Sequence, residues 1–416
     1  MRRPATLAAG SLLGLLLGAC FTGEATLGAI CKNDGQCGLD QACTSGVCGM
    51  CRDGLVQPGE LCYGASSEEL AFGEVTDLLA IDINEDGFKD LLAIVNDDCE
   101  GLGGSCWDMR LFVLDDQGDF QSLELFDKNV PGRVPKMSIA NFDGDGTPDV
   151  VAVVVPFDTQ EDASQLAVLY DFPNVQTSLD IDIPVFANTL EAADLDGNGF
   201  DDLLVAAELA NTLVFVPSIG TDFGVQRIIV TDPAPRLATP ADMDGDGDLD
   251  LIIGSAATGS LGVDLNDGKA NFVPQTRQQL GAGMGVSVIS TADFDSDGKL
   301  DVAAIVEGSE PIVALFRGLG NGLLEPLDSL PAGSVPVDLL TEDLNNDGLA
   351  DIMIADLFED KLPVYLNRAG SFPDRSRVDV AAAPLTLLRG DFDFDNIDDL
   401  VIGNANGVIS VVRWEK

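Results

Sequence analysis

A nine-residue pattern, D-x-[DN]-x-[DN]-G-x-x-D, recurs seven times along the chain. Its copies are "DINEDGFKD" from Asp82, "NFDGDGTPD" from Asn141, "DLDGNGFDD" from Asp194, "DMDGDGDLD" from Asp242, "DFDSDGKLD" from Asp293, "DLNNDGLAD" from Asp343 and "DFDFDNIDD" from Asp391. Successive copies start 59, 53, 48, 51, 50 and 48 residues apart. A near-constant period of this length marks a repeat architecture, in which each unit is one supersecondary element that needs its neighbours to bury a core. Seven such units account for everything after about residue 65.

The acids inside each copy stand at alternate positions, so they share one short span. At ~4 Å and an effective dielectric of ~20, two like charges repel by ~4 kcal/mol. A cation among them removes that cost. A hard dication takes six to eight oxygens at ~2.3–2.6 Å, and alternating carboxylates or amides on a turning loop supply them. Positions 1, 3, 5 and 9 offer side-chain oxygens and position 7 a backbone carbonyl. The candidate calcium ligands are therefore Asp82, Asn84, Asp86, Phe88 and Asp90 in the first loop, and Asn141, Asp143, Asp145, Thr147 and Asp149 in the second. The third loop offers Asp194, Asp196, Asn198, Phe200 and Asp202, and the fourth Asp242, Asp244, Asp246, Asp248 and Asp250. The fifth offers Asp293, Asp295, Asp297, Lys299 and Asp301, the sixth Asp343, Asn345, Asp347, Leu349 and Asp351. The seventh offers Asp391, Asp393, Asp395, Ile397 and Asp399. Up to seven Ca2+ ions are expected. Asp248 is expected to give only its carbonyl and to point its carboxylate outward.

Position 6 must turn sharply with positive φ, which glycine does at no steric cost. Six copies have glycine there, and the seventh has Asn396, one of the few side chains that tolerate that region. An EF-hand would need a bidentate glutamate at position 12. Position 12 is Ala93, Ala152, Val205, Ile253, Ala304, Ile354 and Ile402, so that reading fails.

The loops are flanked by strand-like sequence: "VSVISTADF" precedes one loop and "LDVAAIVEG" leaves it. A third strand follows, as in "LGVDL", "PIVALF" and "LPVYL", and a turn rich in Gly, Asn or Asp leads to a fourth. Four strands per ~50 residues, seven times over, predict an all-β, seven-bladed β-propeller with calcium loops, preceded by a small disulfide-rich module. A stacked solenoid is the alternative, and it would need capping repeats that are not evident. After the seventh loop only two strands remain. Residues around 66–74, "SSEELAFGE", can complete that blade and remove an exposed sheet edge.

The repeats resemble the FG-GAP and VCBS repeats of integrin α-subunit propellers and of many bacterial surface proteins, over about 350 of 416 residues. The resemblance implies calcium in the loop between the first and second strands of each blade. The acidic or amide residues at positions 1, 3, 5 and 9 would be its side-chain ligands. It implies less about function, because this architecture hosts adhesion, scaffold and enzyme roles.

The chain opens "MRRPATLAAGSLLGLLLGAC": two arginines, a short apolar run, and small residues ending at Cys20. The run is too short to span a bilayer and has the layout of a secretory signal. Leu17-Gly18-Ala19-Cys20 resembles the lipobox of bacterial lipoproteins, which implies lipidation of Cys20 as the mature N-terminus; an ordinary signal peptide is the alternative. The expected layout is a signal peptide at 1–19, a tether at 20–30, a cysteine module at 31–64 and the propeller at 65–416. The expected location is the bacterial cell envelope. Phe21 rather than aspartate after Cys20 favours, by analogy with lipoproteins, the outer membrane or cell surface.

Eight further cysteines suit disulfides in an oxidising compartment. Cys31, Cys37, Cys43, Cys48, Cys51 and Cys62 crowd into a span too small for a core, and fifteen pairings are open to them. Cys48 and Cys51 could be a redox pair, but a dense exported cluster favours structural disulfides. "CRDGLVQPGELC" resembles a cysteine-rich element of secreted proteins in myxobacteria and relatives, with Arg52 and Tyr63-Gly64 departing from it. Cys99 and Cys106 most simply pair with each other.

The chain has no histidine, which removes Ser-His-Asp and Cys-His catalysis, HExxH metalloproteases and His-ligated metals. Acids outnumber bases 70 to 22, for a net charge of −48, so nucleic acid and anionic lipid are poor partners. A non-enzymatic surface binding, adhesion or scaffold protein is expected, contacting an unidentified protein or glycan and meeting the membrane through its lipid anchor only. A calcium-dependent polysaccharide lyase or glycosidase on the same propeller is the alternative. Trp107, beside the Cys99–Cys106 loop, is a candidate partner contact, with packing over its own loop as the plain alternative.

Overall fold

Each interval between two nonapeptides folds as one antiparallel sheet. The computed structural model describes residues 42–44, 47–49, 67–71 and 74–412, apart from 84–88, 99–104, 115–119, 127–131, 134–135, 157–163, 173–177, 184–186, 188, 282–283, 346, 381–382 and 393–397. The fourth blade shows the scheme. Pro235–Ala241 leads into the nonapeptide, Asp250–Ser255 leaves it, Ser260–Asn266 returns, and Phe272–Pro274 with Gln278–Gln279 forms the outer edge.

The second strand of a blade is a continuous apolar run because it is covered on both faces. Every residue of Asp250–Ser255, Asp301–Val306 and Asp351–Asp356 is buried. The position-12 residues that exclude an EF-hand lie in these strands, in the core. Inner strands alternate less strictly, as in the pattern of Val286–Ala292, because one side faces the middle of the molecule.

The other blades repeat the order. The first is Glu74–Ile81, Asp90–Asp98, Ser105–Leu114 and Phe120–Phe126. The second runs Met137–Ala140, Asp149–Pro156, Ser164–Leu169 and Ser178–Ile183, and the third Thr189–Ala193, Asp202–Ala207, Thr212–Val216 and Arg227–Ile229. The fifth starts with Val286–Ala292 and the sixth with Pro336–Glu342. The seventh combines Pro384–Gly390, Asp399–Asn404 and Val408–Val412 with the early strand Ser67–Ala71. Ser67 pairs with Val412 and Ala71 with Val408, so the two ends of the array close one blade.

Inner strands of consecutive blades touch in cyclic order, and the seventh touches the first. The architecture is therefore a closed seven-bladed β-propeller, and no capping repeats are needed. Its core is seven apolar layers, one between each pair of neighbouring blades. The residue at position 2 of each nonapeptide wedges into the layer shared with the next blade: Ile83, Phe142, Leu195, Met243, Phe294, Leu344 and Phe392. A loop of acids is thus pinned by one apolar side chain.

Helix is confined to a single 3-10 turn, Glu208–Ala210, among the described residues. None of the helices among them is long and apolar enough to cross a membrane. Ala42–Thr44 and Val47–Gly49 form a separate hairpin whose register sets Cys43 opposite Cys48. Cys20, Cys31, Cys37, Cys51, Cys62 and Cys99 lie outside the described residues. Cys106 and Trp107 fall in the third strand of the first blade, opposite Asp97 and Asn96.

Phe392 is fully buried between the seventh and first blades, with its ring 5.9 Å from that of Phe120. Phe392→Ala should cost about 3–5 kcal/mol, because the closure layer can collapse only partly. Urea denaturation checks this; a loss below 1 kcal/mol would mean that this interface does not hold the ring.

Candidate metal centre

The last aspartate of each nonapeptide begins the second strand and is buried where it starts. One of its oxygens accepts the N–H of position 2: Ile83 at 3.1 Å, Phe142 at 2.8 Å, Leu195 at 3.0 Å, Met243 at 2.9 Å, Phe294 at 2.9 Å, Leu344 at 3.1 Å and Phe392 at 3.0 Å. In six blades the other oxygen accepts an N–H at the end of the third strand, from Leu114, Asp171, Ser218, Asn266, Gly318 and Asn367, at 2.7–3.0 Å. Position 9 therefore bolts the loop to its own sheet with both oxygens.

The residue ending the third strand also reaches the previous blade. Asn266 Nδ2 donates to the Leu195 carbonyl at 2.8 Å, and Asn367 Nδ2 to the Phe294 carbonyl at 2.8 Å. Ser218 Oγ donates to the Phe142 carbonyl at 2.7 Å. In each case the acceptor is position 2 of the preceding nonapeptide. No local sequence motif announces these residues, because their acceptors lie 71 to 76 residues away.

Positions 1, 3 and 5 wrap the turn. In the fourth loop Asp242 accepts the N–H groups of Gly245 and Gly247, Asp244 accepts Asp246, and Asp246 accepts Asp248. Gly247 has φ +95° and Gly245 φ +80°, so the loop uses two left-handed residues where the pattern specifies one glycine. The Asp248 carboxylate stays out of the converging set and packs over Gly268 of a neighbouring turn, where a Cβ would come within 2.5 Å of it.

Carboxylate oxygens converge in four loops, each set lying within 4.8 Å: Asp242, Asp244 and Asp246; Asp293, Asp295 and Asp297; Asp194, Asp196 and Asp202; and Asp143, Asp145 and Asp171. Asp171 belongs to no nonapeptide; it lies just past the third strand of the second blade, Ser164–Leu169, with φ +55°, and was not legible as a candidate. Asp343, Asp347 and Asp351 do not converge in this way, while Asn345 Oδ1 accepts the Asp347 N–H and its buried Nδ2 has no hydrogen-bond partner. Asn198 turns its Nδ2 to the Ser218 carbonyl at 2.9 Å, and Asn141 Oδ1 accepts the Gly144 N–H at 2.8 Å. Thr147, Phe200, Lys299 and Leu349 at position 7 each donate their N–H to position 5. Asp82, Asp90, Asp391 and Asp399 flank the first and seventh loops, but Asn84, Asp86, Phe88, Asp393, Asp395 and Ile397 lie outside the described residues.

The residues fit a hard dication. Buried Asp196 Oδ1 has no hydrogen-bond partner. Burial, outweighing two backbone donors, pushes Asp202 up to about 7 and Asp250 up to about 6, and like-charged neighbours add to it. A dication at the loop would reverse that direction by favouring the charged forms. The loops differ in counter-charge. Arg317 Nε sits 2.7 Å from Asp295, and Lys299 Nζ 3.2 Å from Asp297. Asp242, Asp244 and Asp246 have no cationic partner among the described residues.

Residues 242–304 match the FG-GAP-like repeat family. That stretch runs from the fourth nonapeptide into the second strand of the fifth blade. None of the curated proteins compared matches the chain. Among solved structures, BBS1N in complex with ARL6DN is similar with a TM-score of 0.57 and 11% identity, over 85% of this chain and 96% of that one. The periplasmic gluconolactonase PpgL of Pseudomonas aeruginosa is similar with a TM-score of 0.53 and 13% identity, over 72% of this chain and 84% of that one. At these identities the likeness is one of fold.

Position 9 and position 5 should separate experimentally. Asp250→Ala strands two N–H groups, each costing about 1–3 kcal/mol, and should destabilise the chain with or without calcium. Asp246→Ala should change stability by less than ~1 kcal/mol in chelator and abolish only the calcium-dependent part. Melting curves of both variants with calcium and with chelator check this.

Proposed function

We propose that the chain is an exported, lipid-anchored propeller whose nonapeptide loops bind calcium, and that it works as a surface binding, adhesion or scaffold protein, not as an enzyme. The observation that carries the calcium reading is the fourth loop. Three carboxylates converge there with no protein cation among the described residues to balance them. Oxygen-only ligands on a turning loop favour a hard dication, and a flexible set of carboxylates suits Ca2+ better than the strictly octahedral Mg2+. The fifth loop, with Arg317 and Lys299 already among its acids, should bind more weakly.

The binding reading follows from what the chain carries and lacks. Its clustered acids are spent on the loops, and it has no histidine to act as general base. A fold relative, BBS1N, was solved in complex with ARL6DN, which is consistent with this architecture presenting a surface to a partner. The gluconolactonase shares the fold and lends no catalytic residue to this chain. The tether rests on the signal-like N-terminus and Cys20.

Calcium that binds only the folded chain stabilises it by about 2.7 kcal/mol per site at a hundredfold excess over Kd. Chelation should therefore lower the melting temperature reversibly, and calcium should restore it; an unchanged curve after verified metal removal would refute structural calcium. Mass spectrometry of the membrane fraction should find a diacylglycerol-modified Cys20 as the first residue. An unmodified chain free in the medium would refute the anchor.

A further inference from the structure

The second and third nonapeptides are joined loop to loop across the boundary between their blades. Asp201, at position 8 of the third, holds both backbone groups of Asn141, at position 1 of the second. Its Oδ2 accepts the Asn141 N–H at 2.8 Å, and its own N–H donates to the Asn141 carbonyl at 3.3 Å. The ring of Phe200, at position 7, covers Gly144 so closely that a Cβ there would stand 2.7 Å from Cε1. A second path runs through Ser218. Its N–H donates to Asp202 at 2.8 Å and its carbonyl accepts the Asn198 Nδ2 at 2.9 Å. Its Oγ donates to the Phe142 carbonyl at 2.7 Å. Positions 5, 7, 8 and 9 of the third loop thus bear on positions 1, 2 and 4 of the second.

No other loop grips its neighbour with a position 8 side chain among the described residues. Position 8 is Lys89, Pro148, Leu249, Leu300, Ala350 and Asp398 in the other copies, and the Asp398 carboxylate lies 3.7 Å from Arg389 of its own blade. The third and fourth loops are reached instead from the turn after the next blade's third strand. There the Ala270 N–H donates to the Leu195 carbonyl at 3.0 Å and the Gly322 N–H to the Met243 carbonyl at 3.4 Å.

The peptide group between Phe200 and Asp201 serves both loops. Its carbonyl is the position 7 candidate ligand of the third loop, and its N–H is the donor to Asn141 of the second. A cation held by that carbonyl fixes the plane of the peptide, and it polarises the N–H toward its acceptor. Asn141 is in turn a candidate ligand of the second loop and accepts the Gly144 N–H on Oδ1 at 2.8 Å. The third loop also carries the orphaned oxygen: Asp196 Oδ1 is buried without a hydrogen-bond partner, in the converging set with Asp194 and Asp202.

We propose, resting on the reading that the loops bind calcium, that Asp201 is a positioning residue through which the third loop sets the calcium affinity of the second, so that the two bind calcium cooperatively. Filling either loop orders contacts that the other shares, so the second ion meets a loop already part-ordered. Linkage makes the effect reciprocal: each ion raises the affinity for the other by the same factor. Repulsion between the two ions opposes this, but salt screens it and leaves the contacts in place.

The test is a calcium titration of the full chain, labelled with 15N-glycine, followed by NMR in 0.5 M KCl. The amides of Gly146 and Gly199, at position 6 of the two loops, report each loop separately. Asp196→Ala should raise the calcium midpoint at Gly146 about fivefold or more, as ordinary coupling energies imply. Asp297→Ala, in the fifth loop, should leave that midpoint unchanged. With Asp201→Ala in place, Asp196→Ala should move Gly146 less than twofold. Asp201→Asn keeps an acceptor oxygen and should keep the coupling. A Gly146 midpoint unmoved by Asp196→Ala, or moved as far with Asp201→Ala in place, would overturn the proposal and leave the calcium reading standing. Loss of coupling in Asp201→Asn would overturn it too, because charge and not the contact would then carry the effect. If neither glycine responds to calcium in the unaltered chain, the calcium reading itself fails and the proposal with it. Should Asp196→Ala not fold, Asp143→Ala followed at Gly199 measures the same coupling from the other side.

Discussion

Everything in this propeller hangs on a buried carboxylate that accepts two backbone N–H groups on two different oxygens. The aspartate at position 9 joins the nonapeptide to the third strand of its blade, so the loop cannot shift without leaving donors unpaired in the core. An asparagine there has only one acceptor oxygen and would turn an NH2 group against an N–H. The seven copies obey this: asparagine stands at positions 1, 3 and 5, as Asn141, Asn84, Asn345 and Asn198, and at position 9 in none. The positions that accept asparagine are thus the ones whose hydrogen bonds stay within the exposed turn, not the one that joins it to the buried sheet.

That division explains how a loop of acids can sit on an apolar core. Position 2 faces inward as Phe142, Phe294 or Phe392 and fills the layer between blades, while its N–H is taken by position 9 and, for Phe142 and Phe294, its carbonyl by the next blade. Positions 1, 3 and 5 face the turn and carry the unbalanced charge. The backbone frame therefore holds with the carboxylates already close, and a cation entering the loop meets an arranged set of oxygens at little ordering cost.

The period and the glycine turns made the ring legible, and even the closing strand at 67–71 could be placed from the shortfall at the other end. What stayed hidden has a common physical cause. Ser218, Asn266 and Asn367 act on carbonyls one blade back, and Asp171 joins acids of a loop that lies a strand pair earlier, so no spacing rule reaches them. Lys136 meets Asp77 59 residues away and the Leu387 N–H meets Asp338 49 residues away, and only the packing of neighbouring blades brings them together. The Asp248 carboxylate stands outside the converging set of its loop and lies over Gly268, 20 residues on, where the glycine leaves room for it. Local chemistry reads directly from local sequence; contacts between blades do not.

Closure also changes what each contact is worth. An open stack of seven units has six interfaces and two bare ends, and its stability is close to a sum of neighbour terms. The ring has seven interfaces and no end, because Ser67–Ala71 completes the seventh blade and that blade packs on the first. Opening any one interface exposes two apolar faces and frees the inner strands on both sides, so the cost falls on the whole ring. The polar contacts between neighbouring blades depend on the same closure. Lys136 and Asp77 meet across the boundary of the first and second blades, and Asp338 reaches the seventh blade through the Leu387 N–H. A ring that must stay shut to keep its core dry also keeps these polar contacts between blades in place.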